Sequence, residues 1–403
     1  MTPTGIIANQ QRTFARLWRA LAPHVRTDRR LPARIEAALR RHEFGSRDRR
    51  LYRELLYTAL RHLPWVDELA ARTDAEVIRA VAWLAAETPA TRAFRLALVG
   101  DWPPLPPTIA ARARHLGVER DLLPAWFRPH CPAAFVSPNL EVLHTRAPLW
   151  IRVQADSPET VLAELAARGF AARPAAALPG AWEITGDADL TATAAWRAGR
   201  FEVQDLGSQL ILAAAADIRP GGIWLDACAG AGGKTLQLAA LVGPAGRIDA
   251  HDIRGAALAE LARRADRAGF ANIHPALRLP DDLAYDGVLV DAPCSGSGTW
   301  RRAPHLKWCT TAADIAAHAA RQRRLLDRFA ARVRPGGLLV YATCSLSREE
   351  NEAAVAAFLA AAPGFAAVPP TRTVGLAAGP GRAILPAEHD TDGFFVATLR
   401  RAP

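Results

Sequence analysis

A chain of 403 residues exceeds the usual span of one domain, and its composition, 50% hydrophobic and 22% charged, excludes wholesale disorder. No run of about eighteen apolar residues is free of charge, and the opening MTPTGIIANQQRTFARLW lacks the apolar core of a secretory signal, so the protein is expected to be soluble and cytoplasmic with no membrane partner. The net charge of +10 gathers at one end: residues 1–66 hold fourteen arginines, Arg12 to Arg61, against five acids, a surplus of nine.

Such a basic end suits a phosphate backbone, because each neutralised phosphate releases counterions. A solvated helix surface would also account for it, so function has to be decided elsewhere. Only two of the fifty basic residues are lysines, Lys234 and Lys307. Each marks a position where a compact ammonium is not exchanged for a planar fork.

In chain order, the first hundred residues read as a helical bundle; from Arg47 to Leu63, Leu51, Leu55, Leu56, Ala59, Leu60 and Leu63 recur at helical spacing. The run DWPPLPPT at 101–108 predicts a linker, with further helices to about 145. Residues 146–204 predict a small α/β subdomain, in which LWIRV, AWEIT and RFEVQD are strands and SPETVLAELAARG is a helix. From 205 to 403 the pattern becomes strand, turn, helix, repeated. IWLDAC precedes GAGGKT, RIDAHDI precedes a helix ending near Gly269, DGVLVD precedes APCSGSG, and GLLVYAT precedes CSLSREENEAA. Near-continuous apolar strands alternating with helices predict a parallel, doubly wound, Rossmann-like sheet, whose ligands bind beyond the carboxyl ends of the strands.

The unusual residues fall at those ends. In the turn from Asp226 to Thr235, small residues let the backbone approach a ligand, and the following helix start offers free N–H groups. A phosphate-binding loop would need glycine where Cys228 stands. Asp252, a little over twenty residues past the glycines, is suited to accept ribose hydroxyls, which implies an adenosine-containing cofactor; a helix cap is its plainer use. Asp291-Ala-Pro-Cys294-Ser-Gly and Tyr341-Ala-Thr-Cys344-Ser each set a cysteine just past an apolar strand, so both thiols are expected to face one crevice. The spacing is not that of a redox pair, and further ligands for zinc are absent, so no metal is expected. Inert buried cysteine is the ordinary alternative. The remaining reading is attack on a pyrimidine: carbon 5 of cytosine takes a methyl group only after a thiolate adds to carbon 6. A second group near the ring could assist release, and Asp291 could hold the N3 and amine edge. On these grounds either cysteine can be the nucleophile. Cys131, Cys228 and Cys309 lack this setting.

These segments resemble the Nop/Sun family of RNA 5-methylcytosine methyltransferases, most closely its bacterial small-subunit ribosomal branch. DACAGAGGKT is similar to the cofactor loop, DAPCSGSGTWRRAPHLKW to the fourth motif, YATCSLSREEN to the sixth, VQDLGSQ to the segment entering the domain, and DGFFVATL to the closing strand. DRRLYRELLYTALRH resembles a helix of the NusB-like RNA-binding domain. The resemblance implies a NusB-like domain over 1–100 and an S-adenosylmethionine-dependent methyltransferase domain over 205–403, with ribosomal RNA as partner. It implies Cys344 as nucleophile and Cys294 as the thiol that helps release product. It further implies cofactor contacts from Cys228, Ala229, Gly230, Ala231, Gly232, Gly233 and Lys234, from Asp252 and from Asp291, and contact of Arg302 and Lys307 with RNA or the site. Two departures stand out. Gly230 and Ala231 replace the family's alanine and proline, and Ala276 falls near the usual adenine-side acid, for which Asp281 or Asp282 could substitute. That second departure motivates an alternative, a non-catalytic RNA-binding assembly factor on the same scaffold.

Overall fold

The structure, a computed structural model, describes residues 3–41, 44–155, 157–186, 189–215, 217–280 and 283–403. It divides into two compact units. The first comprises residues 1–146 together with 299–311; the second comprises 147–298 and 312–403.

The first unit is helical. Its long helices span Pro3–Leu21, Leu31–Arg41, Ser46–Arg61 and Asp74–Leu84. The apolar stripe read from the sequence is the buried face of Ser46–Arg61: Leu51, Leu55, Leu56, Ala59 and Leu60 are all within 1% of complete burial. They pack on Phe14, Leu17, Ile35, Trp65 and Trp83 in one core. Asp74–Leu84 starts where Thr73 accepts the Glu76 N–H at 3.1 Å, which satisfies an otherwise orphaned donor. The expected linker at 101–108 is irregular but does not divide the chain. Trp102 packs edge-on against Trp83 at 5.6 Å, Trp83 Nε1 donates to the Pro103 carbonyl at 2.8 Å, and the unit continues to residue 146. Apolar side chains between the prolines anchor a segment whose backbone pattern signalled a spacer.

The second unit carries both sheets. The smaller is antiparallel, in the order β2-β3-β1-β4, from β1 (Leu149–Val153), β2 (Ala171–Pro174), β3 (Ala181–Thr185) and β4 (Phe201–Val203). Its core holds Ile151, Val161, Leu165, Phe170, Ile184 and Phe201. The larger begins with β5 (Ile223–Asp226), β6 (Arg247–His251), β7 (Ile273–Ala276), β8 (Tyr285–Asp291) and β9 (Val333–Thr343). These five are parallel in the order β7-β6-β5-β8-β9, the Rossmann-like arrangement the sequence predicts. Beyond β9 the sheet turns antiparallel, a departure from an all-parallel expectation. β13 (Phe394–Arg401) pairs with β9, the hairpin of β11 (Leu376–Ala378) and β12 (Gly381–Ile384) extends that edge, and β10 (Phe365–Ala367) also pairs with β13. Buried Glu202 on β4 accepts from Arg264 at 2.8 Å and from Arg267, so the small sheet is fastened to the helix Gly255–Ala268 of the large one. Among the described residues no helix is long and apolar enough to cross a membrane.

Candidate active site

From β5 the chain adds β6 and β7 on one side and then returns to add β8 on the other, so the strand order switches between β5 and β8, and the carboxyl ends there form the crevice expected of such a sheet. Residues 227–232 leave β5 in a turn that enters the helix Gly233–Val242. Gly232 has φ +90°, and a Cβ there would lie 2.8 Å from Leu261 Cγ and 2.9 Å from Leu236 Cδ1, so the turn requires glycine on both counts. Under the turn, Asp226 is buried. It accepts from Thr235 Oγ1 at 2.7 Å, and burial, reinforced by the charge of Asp291, raises its pKa to about 7.

At the end of β6, Asp252 Oδ2 accepts the Gly230 N–H at 2.9 Å, while Oδ1 accepts the backbone N–H of Arg254 at 2.8 Å. The Arg254 guanidinium closes on both carboxylate oxygens at 2.9 Å. That pairing, opposed by burial and helped by the backbone donors, lowers the Asp252 pKa to about 2. A cleft of about 550 Å³ opens here. Of the residues expected to contact the cofactor, Cys228, Ala229, Gly230, Ala231, Gly233, Lys234, Asp252 and Asp291 line it. Gly232 does not, because it turns inward on Leu261. The opposite wall, Arg321, Leu325, Arg328 and Phe329, comes from the helix Ala312–Ala330 and was not singled out in the sequence. Ala276 closes β7 with its carbonyl 3.0 Å from the His251 ring Nδ1; Asp281 and Asp282 lie outside the described residues.

β8 and β9 are neighbours, with Asp291 beside Ala342 in register. The two cysteine turns therefore leave adjacent strands at the same end, and Cys294 Sγ lies 3.4 Å from Cys344 Sγ. Lys234 Nζ donates to Asp291 Oδ2 at 2.8 Å. Burial works against the lysine charge, but Asp291, with Cys344 and Asp226 adding to it, holds its pKa above the ordinary value. Cys294 is pushed well above the usual thiol range, first by its hydrogen bond to Cys344 and then by burial. Beneath the sulfurs lies Glu350, fully buried. Its only signal in the sequence was a second acid in SREEN.

The expectation for Lys307 is corrected. Residues 299–311 belong to the helical unit, where Trp300 packs on Phe127 at 4.5 Å between centroids and Lys307 is 2% exposed. Lys307 Nζ donates to the Arg61 carbonyl and lies 2.9 Å from His144 Nε2. An ammonium enclosed in this way is not presented to RNA. Arg302, five residues earlier, is exposed. Cys309 donates to the Val25 carbonyl at 3.8 Å and Cys131 is buried, both in the helical unit. Among the described residues no three His, Cys, Asp or Glu side chains are grouped to hold a metal ion.

Residues 213–400 match the family model described as 16S rRNA methyltransferase RsmB/F. The Ribosomal RNA small subunit methyltransferase B of Sodalis glossinidius is 34% identical over 304 residues, 73% of this chain and 69% of the relative. The chain belongs to the RsmB/F family. Another RsmB/F relative, the Ribosomal RNA small subunit methyltransferase B of Xylella fastidiosa strain 9a5c, is 36% identical over 63% of this chain, and the match spans 62% of that protein's length. The solved Methyltransferase Homolog Protein from Pyrococcus horikoshii has a TM-score of 0.59 at 26% identity, covering 68% of this chain and 93% of that one. The RsmB/F match thus takes in the crevice, both cysteine turns and the antiparallel edge.

Proposed function

We propose that this chain transfers a methyl group from S-adenosylmethionine to carbon 5 of a cytosine in ribosomal RNA, in the cytoplasm, through a bond between Cys344 and carbon 6 of the ring. The observation that carries this reading is a pair of thiols 3.4 Å apart on neighbouring strand ends, next to a cleft of about 550 Å³.

The cleft suits the cofactor. Its volume is that of a small-molecule site, Asp252 stands where a ribose hydroxyl donor would be met, and an added Cβ at Gly233 would meet nothing within 4 Å, so a ligand can approach the helix start closely. Bound there, the cofactor supplies an electrophilic methyl group on a sulfonium. Carbon 5 of cytosine is too weak a nucleophile to take it unaided. The Cys344 thiolate adds to carbon 6, forming the S–C6 bond and shifting electrons of the 5,6 double bond so that carbon 5 gains enamine character through N3. Asp291, held by Lys234, accepts an N–H of the exocyclic amine, and N3, where negative charge collects, takes a proton from solvent and returns it when the ring is restored. After transfer, the carbon 5 proton passes to solvent, the C–H electrons restore the double bond, and Cys344 leaves as thiolate. Cys294, which retains its proton through its bond to Cys344, donates to the departing sulfur and so assists release. The choice of Cys344 rather than Cys294 as nucleophile rests on the resemblance of YATCSLSREEN to the family's sixth motif.

RNA is held in part by the helical unit. Arg30, Arg40, Arg41 and Arg47 are exposed there and supply phosphate contacts. Arg53 is committed to Glu36 at 2.7 Å, and buried Arg61 to Glu54 at 3.4 Å. The target cytosine is unpaired or turned out of its stack, since a stacked ring hides carbon 6.

The test is to incubate the wild type, Cys344→Ala and Cys294→Ala with S-adenosylmethionine and RNA from cells lacking the protein. We expect no 5-methylcytosine and no denaturant-resistant adduct from Cys344→Ala, and an accumulating adduct from Cys294→Ala. Exchanged phenotypes would reverse the two roles. A wild type that neither methylates RNA nor binds the cofactor would favour the assembly-factor alternative.

A further inference from the structure

The carboxylate beneath the thiols has no part in the chemistry just described. Glu350 Oε1 accepts the Ser295 N–H at 2.8 Å and Gln322 Nε2 at 3.0 Å; Oε2 accepts the hydroxyls of Ser295 and Ser345, each at 2.5 Å. Ser295 follows Cys294 and Ser345 follows Cys344. One buried group therefore binds both segments that carry sulfur, fifty residues apart in the chain.

The surroundings brace it. Ser297 Oγ lies 3.0 Å from Ser345 Oγ and accepts the Leu346 N–H at 2.8 Å. Gly298 donates to the Cys344 carbonyl at 2.9 Å. On the acceptor side, Tyr341 donates to the Glu350 carbonyl at 2.6 Å, and Asn351 Nδ2 donates to the Ser345 carbonyl at 2.9 Å. A carboxylate taken out of water is expensive unless fully hydrogen-bonded. Apolar side chains could fill the same volume without that cost, but they could not direct four donors to one point.

We propose, resting on the assignment of Cys344 as nucleophile and Cys294 as its partner, that Glu350 is a positioning residue for methyl transfer, its carboxylate clamping the two cysteine turns so that the sulfurs stay in contact. When Cys344 is bonded to a cytosine, Cys294 still has to reach that sulfur to assist its departure. Two independent turns would drift apart by the small distances that matter for such a contact. The clamp acts electrostatically as well. The charge of Glu350 adds to the hydrogen bond with Cys344, to burial and to the Cys344 charge in keeping the proton on Cys294.

Glu350→Gln tests this with little change of shape. The amide oxygen can face Ser295 N–H and Gln322, while the amide nitrogen meets two hydroxyls free to rotate and accept, so the fold is retained and the charge is lost. We expect kcat to fall at least about 10-fold with KM for RNA within about twofold, and the covalent adduct to persist longer than in the wild type. Iodoacetamide labelling of Cys294 should shift to lower pH in Glu350→Gln/Cys344→Ala than in Cys344→Ala alone, with the same limiting rate at high pH, a change of pH profile that loosened turns alone would not produce. Ser345→Ala, which removes one of the two hydroxyl bridges, should show a smaller loss of kcat in the same direction. Wild-type kcat and unaltered Cys294 labelling in a folded Glu350→Gln protein would overturn the proposal. Failure of the earlier reading is seen separately, as a wild type that methylates no RNA.

Discussion

Lys307→Met separates a lysine that holds the helical unit together from one that touches RNA. The substitution keeps the length of the side chain and removes its nitrogen. It leaves the Arg61 carbonyl and His144 Nε2 without the partner each now has at 2.9 Å. His144 Nδ1 lies 2.6 Å from the Leu140 carbonyl and Nε2 lies 3.2 Å from that of Leu122; with the ring hydrogen in the shorter contact, Nε2 is the acceptor for Lys307 and is stranded by the change. Two stranded buried acceptors cost about 1–3 kcal/mol each. Part of this is recovered, because burial already holds the Lys307 pKa well below the ordinary value and a thioether carries no such penalty. A net loss of about 2–4 kcal/mol, at roughly 2–4 °C per kcal/mol for a unit of this size, lowers the melting temperature of the helical unit by about 4–16 °C in calorimetry. RNA affinity measured below that transition should keep its wild-type dependence on salt. Exposed Arg302 is expected to behave in the opposite way: Arg302→Ala shifts melting less than Lys307→Met does and lowers the slope of log K against log salt by about 0.7. A Lys307→Met protein that melts like the wild type but shows the shallower slope would refute the reasoning.

Asp226, with a folded pKa of about 7, keeps a proton that the unfolded chain has released above pH 4. Stability should therefore fall as pH rises from about 4 to 7, by at most about 1.4 kcal/mol per unit; Asp226→Asn should flatten that segment in denaturant titrations, and an unchanged slope would place the proton elsewhere. Gly298→Ala would put a Cβ 2.0 Å from the Gly393 carbonyl oxygen and 2.9 Å from that of Cys344. Because both obstacles are backbone, we expect at least about 1–3 kcal/mol of destabilisation and loss of adduct formation; wild-type melting together with wild-type adduct yield would contradict the close approach.

The parallel strands were legible because burial on both faces writes them as apolar runs. The first four carboxyl-end residues of interest, Asp226, Asp252, Cys294 and Cys344, follow directly from where those runs stop. The antiparallel β11–β12 hairpin was not legible. LAAGPGRAI lies on an edge, is half exposed, and has too little alternation to announce a strand. Glu350 was missed because a charged residue in SREEN reads as surface, and only the convergence of Ser295, Ser345 and Gln322 makes it interior. Lys307 was misread for the complementary reason. Its rarity pointed to function, whereas the cause of that rarity is a pocket in which one nitrogen meets a carbonyl and a ring. The cleft wall from Arg321 to Phe329 had only helical amphipathicity for a signature, and that periodicity does not say which ligand or sheet a helix face meets.

The excursion of residues 299–311 into the helical unit bears on how the chain is made. Synthesis runs from the N-terminus at about 5–20 residues per second, and about 150 residues separate Arg146 from Thr299. For roughly 8–30 s the nascent helical unit therefore lacks its last piece, with Phe127 awaiting Trp300 and His144 awaiting Lys307. It becomes complete only when the ribosome has also delivered β5 to β8. The helical unit thus stays unfinished while most of the second unit's parallel strands are already made, so a truncation that releases residues 1–146 alone would yield a bundle with an open seam.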